Sequence, residues 1–176
     1  RRCEDLNFCS LKDLCFTFQP EGQKYEEIDI PPPPPSKDCP SGYISWKKNC
    51  YLLVEDTDKR TTWLEAQKAC EKQKANLASV DHTYEQAFLA GAVLQGRTDA
   101  WIGLSRDVRG NESYSWTDGW PVFYTHWGPG EPTNLAGEGC VTMHSAPLFH
   151  GTWNDTSCNA KHAYICKISK GKINIF

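Results

Sequence analysis

Nine cysteines fall in this chain of 176 residues, and their distribution constrains the fold more than any other feature. Cys3, Cys9 and Cys15 crowd the N-terminus, while Cys39, Cys50, Cys70, Cys140, Cys158 and Cys166 are spread over the rest. Between the two groups, Pro31 to Pro35 form an unbroken proline run. Proline donates no backbone hydrogen bond and favours an extended, stiff spacer. The chain therefore reads as a cysteine-containing segment (1–18), a proline-rich linker (19–37), a compact domain (38–168) and a short tail (169–176). That domain holds six cysteines, an even number that can close completely on itself.

Zinc and disulfides compete for clustered cysteines. Structural zinc wants short Cys-x2–4-Cys pairs, whereas the intervening stretches here are 5, 5, 23, 10, 19, 69, 17 and 7 residues long. Disulfides fit better, and they imply an oxidising compartment. The same argument removes a cytosolic role for Tyr25-Glu26-Glu27-Ile28, which resembles a phosphotyrosine docking motif, and for the proline run as an SH3 ligand. Two glycosylation sequons, at Asn111 and Asn154, agree with an extracellular location. A net charge of −3 lacks the basic excess of a nucleic-acid partner. The longest apolar-and-small run, Ala87 to Leu94, is eight residues, against ~20 for a membrane span. Arg1-Arg2-Cys3 does not open a signal peptide. The expectation is a piece of a longer secreted or membrane-tethered protein.

Local patterns place the elements. Gly42 to Val54 reads as two strands around a Lys47-Lys48-Asn49 turn, with β-favouring Ile44, Trp46, Tyr51 and Leu53. Thr61 or Thr62 caps a helix to about Lys74, since Trp63, Ala66, Ala69 and Cys70 recur at helical spacing. A second helix fits Tyr84 to Leu94, with Gly96 past its end. Ala100 to Leu104, Tyr114 to Trp116, Cys140 to Met143, Gly151 to Trp153 and Ala163 to Ile168 read as strands. Between them, Thr117 to Gly139 has no periodicity but carries Trp120, Phe123, Tyr124 and Trp127. Long loops in compact domains tend to be functional. These aromatics offer either a binding surface or, on the reading favoured here, a small core for the loop itself. Two helices followed by strands give an α+β class with a small antiparallel sheet.

These residues also carry a resemblance. Gly42-Tyr43 after Cys39, Trp63-Leu64-Glu65-Ala66, Leu77-Ala78-Ser79-Val80, Trp101-Ile102-Gly103-Leu104, Trp116-Thr117-Asp118-Gly119, Gly130-Glu131-Pro132, Cys140-Val141, Trp153-Asn154-Asp155 and Tyr164-Ile165-Cys166 stand in the order of a C-type lectin-like domain. The resemblance runs from Cys39 to about Lys167 and is strongest to a module of the mannose receptor family. It implies disulfides Cys39–Cys50, Cys70–Cys166 and Cys140–Cys158, and a cis peptide bond before Pro132.

The resemblance further implies calcium as a cofactor, held in the long loop and chelating two adjacent sugar hydroxyls. Carried over by position, Glu131, Glu138, Asn154 and Asp155 match the family's ligands, a hard-oxygen set that suits this ion. Thr133 departs from the pattern, standing where an Asn or Asp is expected, with Asn134 next to it as a substitute. Arg106 departs as well, standing where an auxiliary calcium site wants an acid. Glu131, Glu138, Asn154 and Trp127 are the candidate ligand-binding residues. The sequon at Asn154 conflicts with its role as a ligand, because a glycan there blocks the site.

Two readings follow: a module binding a glycan or glycoprotein through calcium, or a calcium-independent binder of a protein. An enzyme is not expected. His82, His126, His144, His150 and His162 show no metal-protease spacing, and neither a Gly-x-Ser-x-Gly elbow nor a phosphate loop occurs. Cys3 to Cys9 loosely resembles the ending of a domain of this type, so residues 1–10 read as the tail of an upstream module. A small self-contained knot or an interchain disulfide is the rival.

Overall fold

A computed structural model describes residues 39–107 and 113–169. Cys3, Cys9, Cys15, the proline run, Asn111 and residues 170–176 of the tail lie outside the described residues. Strands β1 (Ile44–Trp46) and β2 (Asn49–Val54) form the expected hairpin. Its turn is Lys47-Lys48, with Lys47 in the left-handed region (φ 51), and Asn49 already belongs to β2.

Helix α1 (Trp63–Lys72) starts at Thr62, whose side chain and that of Glu65 make a reciprocal capping box. Its inner face buries Ala66, Gln67 and Cys70. Gln67 reaches the Asn76 side chain (2.9 Å) and accepts the Leu77 amide (2.9 Å). This anchors a two-residue strand, β3 (Asn76–Leu77), that no periodicity betrays.

The second helix begins as α2 (Thr83–Phe88) but continues through Leu89–Leu94 as a π-helical turn. The wider turn shifts the buried face, so Leu89, Val93 and Leu94 enter the core.

Strands β4 (Ala100–Arg106), β5 (Tyr114–Trp116), β6 (Glu138–Met143), β7 (Trp153–Ser157) and β8 (Ala163–Ser169) complete the sheet. Among the described residues the strand order is β1-β2-β8-β4-β6-β7, with β3 on β8 and β5 on β4. The named strands pair antiparallel, as expected, with a single parallel pair, β4 with β8. The strand expected over Gly151 to Trp153 instead starts at Trp153 and runs to Ser157. Gly151 is a left-handed turn residue (φ 81), and the ladder with β6 recruits the polar Asn154 and Asp155.

The core gathers Leu89, Ile102, Leu104, Val141, Met143, Trp153 and Ile165 between the sheet and the second helix. A second cluster packs Ala66, Leu77, Trp101 and the Cys70–Cys166 disulfide under α1. The three disulfides of the described residues are Cys39–Cys50, Cys70–Cys166 and Cys140–Cys158, the pairs that the resemblance implies. Cys70–Cys166 spans 96 positions. In the chain-entropy account, closing a loop of that size is worth about 4–5 kcal/mol.

Candidate functional site

The long loop returns along β6 and β7, and that return assembles the candidate residues. Glu131 and Pro132 are joined by a cis peptide bond. Asp155, buried in β7, faces the following two residues. Its Oδ1 accepts the Thr133 amide (2.8 Å) and its Oδ2 the Asn134 amide (2.8 Å). The Tyr114 hydroxyl, from β5, adds a third bond to Oδ2 (3.1 Å) and a bond to the Asn134 side chain (3.0 Å). Burial alone would raise the Asp155 carboxyl. The Thr133 and Asn134 amides, with Glu131 and Tyr114, outweigh it and hold Asp155 below the usual carboxylate value.

Glu131 carries the other side of that balance. Partial burial, then the hydrogen bond and charge of Asp155, push its carboxyl above the usual value. Two carboxylates in contact resist ionising together. Glu138 is tied in through Thr133, whose hydroxyl donates to Glu138 Oε2 and lies 3.3 Å from Asp155 Oδ1. Asn154 Oδ1 accepts the Thr142 hydroxyl across the β6–β7 ladder. A carbonyl oxygen has a second lone pair, so this bond leaves one acceptor position.

Glu131, Glu138 and Asp155 thus gather around Thr133, Glu131 accepting its amide (3.2 Å) and Glu138 its hydroxyl, with Asn154 on the same strand as Asp155. Every donor is a hard oxygen, and the crowded carboxylates raise the Glu131 carboxyl above its usual value. This chemistry fits calcium. A more compact group exists elsewhere: Asp81, His82 and Glu85 place their ligand atoms within 4.8 Å of one another. The Lys167 ammonium already neutralises Glu85 there.

Trp127 stands apart from the carboxylates. Its ring packs edge-on against Tyr114 (5.0 Å) and Trp153 (5.9 Å), and its backbone bridges to Trp153. Tyr124 joins the same packing against Trp153 (6.0 Å). The loop therefore has a small aromatic core, while Trp120 and Phe123 stay exposed. They are 40 % and 78 % exposed, which corrects the expectation for those two residues.

Sequence reasoning missed Tyr114 and Thr142 as parts of this site, and treated Arg106 only as a defect. Arg106 in fact bonds the loop itself, through the carbonyls of Asn134 (3.4 Å), Leu135 (3.3 Å) and Glu138 (2.7 Å). No local signal marks these residues, because their partners lie 12 to 41 positions away.

The profile of the Lectin C-type domain matches residues 59–168. The chain belongs to the C-type lectin domain family. C-type mannose receptor 2 of Mus musculus is 34 % identical over 169 residues, covering 90 % of this chain. The chain spans only 11 % of that receptor's length. Among solved structures, the carbohydrate-recognition domain of cow CD23 in the presence of a GlcNAc2Man3 oligosaccharide is 33 % identical. Its TM-score is 0.65, over 76 % of this chain and 97 % of that one. A calcium-independent type II antifreeze protein is 30 % identical with a TM-score of 0.66, over 74 % and 94 %. C-type lectin domains are in general binding modules without enzymatic activity, and relatives with and without calcium share this fold. The three disulfides of this C-type lectin domain fit an oxidising compartment.

Proposed function

We propose that this domain is an extracellular recognition module, part of a receptor or a secreted protein, that binds carbohydrate at the loop site. Glu131, Glu138, Asn154 and Asp155 would hold calcium, with the Thr133 hydroxyl as a neutral oxygen beside them. Bound calcium supplies a Lewis-acidic centre for two adjacent sugar hydroxyls. The chain's own residues orient that site. Asp155 fixes the backbone of residues 133 and 134, Tyr114 braces Asp155, and the carboxylates of Glu131 and Glu138 offer acceptors to sugar hydroxyls. The observation that carries this reading is the convergence of three carboxylates on one residue: Glu131 and Asp155 accept the Thr133 amide, and Glu138 accepts its hydroxyl.

Isothermal titration with calcium, followed by mannose or galactose, tests it. Heat with calcium and further heat with one sugar is expected. No heat with calcium at millimolar concentration overturns it.

One observation favours a second reading, calcium-independent binding of a protein. Both Asp155 oxygens are already satisfied by amide and hydroxyl donors, so the loop has internal support without a metal. Exposed Phe123 and Trp120 would then supply the contact. A calcium-null domain whose ligand binding is abolished by Phe123→Ala and retained in chelator would identify this mode.

A further inference from the structure

Residues 133–137 are exposed and put no side chain into the core, so polar contacts alone give this stretch its shape. Asp155 takes its amides at one end. One guanidinium takes its carbonyls: Arg106 donates to Glu138 O (2.7 Å), Leu135 O (3.3 Å) and Asn134 O (3.4 Å). Arg106 is held for this task by two ladders. It pairs with Tyr114 across β4–β5, and the preceding Ser105 pairs with Cys140 across β4–β6. Tyr114, its cross-strand partner, contacts Asn134 and Asp155 in turn.

We propose that Arg106 is a positioning residue for the loop site: a fixed cation that pins the 134–138 backbone and so sets Glu138 toward Thr133 before any ligand arrives. The proposal deepens the binding reading given above and rests on it for its purpose. The geometry explains why Arg106 is where it is. A guanidinium offers five N–H donors in a rigid fork, so it can serve three converging carbonyls at once, which a lysine cannot. Its charge also opposes the acidic character of the Glu131, Glu138 and Asp155 group.

Hydrogen exchange of residues 133–139, measured in chelator on the wild type, Arg106→Ala and Arg106→Lys, tests this directly. The Ala variant should exchange in this stretch about tenfold faster or more, as expected for losing charge-assisted bonds. The Lys variant should fall between, and β4 and β6 should keep wild-type protection in both. Calcium should restore protection to the Ala variant while binding it more weakly than the wild type. Wild-type loop protection in both variants overturns the proposal. If Arg106→Ala does not fold, the Lys variant decides alone: faster loop exchange supports the proposal and unchanged exchange overturns it. A wild type that takes up no calcium defeats the calcium reading without touching the chelator result, so the two failures are distinguishable.

Discussion

The Lys167 ammonium and the Glu85 carboxylate form an ion pair inside the domain, with side chains only 6 % and 1 % exposed. The pair joins β8 to the start of α2. Lys167 also donates to Ser79 O (2.9 Å), and Glu85 accepts the Tyr51 hydroxyl and the Asp81 amide (3.0 Å). Nearly every donor and acceptor in the group is used. Removing one member leaves a charge buried without its partner, which costs roughly 3–5 kcal/mol. Lys167→Met should therefore lower the unfolding free energy by about that amount in urea titrations. The double variant Lys167→Met/Glu85→Gln should recover much of the loss, because no unpaired charge remains. Equal losses in both variants would show that the pair itself is not the cause.

Gly103 makes a sharper packing prediction. A β-carbon built there falls 2.6 Å from Leu77 O and 2.9 Å from Thr117 Oγ1. The backbone carbonyl cannot swing aside as a flexible side chain would, and Gly103 also donates to Ala78 O (2.9 Å) in the same contact. Gly103→Ala should destabilise the domain by about 1–3 kcal/mol, the usual range for overpacking. Thermal unfolding of the variant measures it, and an unchanged midpoint would mean β3 and β4 are looser than their spacing implies.

Much of this was legible in the sequence, and the rest shares one physical cause. The six-cysteine domain, the Thr62 cap and the cross-strand hairpin rest on local chemistry, which a linear reading detects. The aromatic loop divides for a different reason: Tyr124 and Trp127 reach Trp153, and Phe123 does not, although all carry similar side chains. Composition cannot make that distinction. The π-turn at Leu89–Leu94 and the β3 strand depend on tertiary partners. The Arg106 clamp shows the limit most plainly, since an arginine that looked like a missing metal ligand is a hydrogen-bond donor to three distant carbonyls.

His162 gives the domain a pH dependence of known sign. Burial, with Arg60 and His144 adding to it and Asp99 opposing, holds its imidazole below the ordinary value of 6.5. Its ring sits edge-on to Trp101 at 4.7 Å. The unfolded chain therefore takes up this proton at higher pH than the folded one. The stabilisation is fully present above pH 6.5 and is lost as pH falls through the depressed folded value. Denaturation midpoints should decline from about pH 7 to about pH 5, the range in which histidine charges. In His162→Phe, which keeps a ring on Trp101, that part of the decline should vanish. A variant with the wild-type slope would assign the effect to His126 instead, whose imidazole is also held below its ordinary value by burial.

On the proposed calcium reading, Asn154 would have to be free of glycan for the loop site to bind. As a sequon residue it is a glycan acceptor by sequence, yet its side chain is engaged within the β6–β7 ladder. Its Oδ1 accepts the Thr142 hydroxyl, its amide nitrogen lies 3.4 Å from Asp155 O, and Thr142 is 1 % exposed. A glycan on that nitrogen would have to displace its contact with Asp155 O beside the β6–β7 ladder. Protein secreted from eukaryotic cells should therefore carry an unmodified Asn154 in peptide mapping by mass spectrometry. Asn154→Asp, which preserves Oδ1 and abolishes the sequon, should leave the glycan mass of the domain unchanged. A glycopeptide containing Asn154 would close the site to calcium and leave Phe123 and Trp120 as the binding surface.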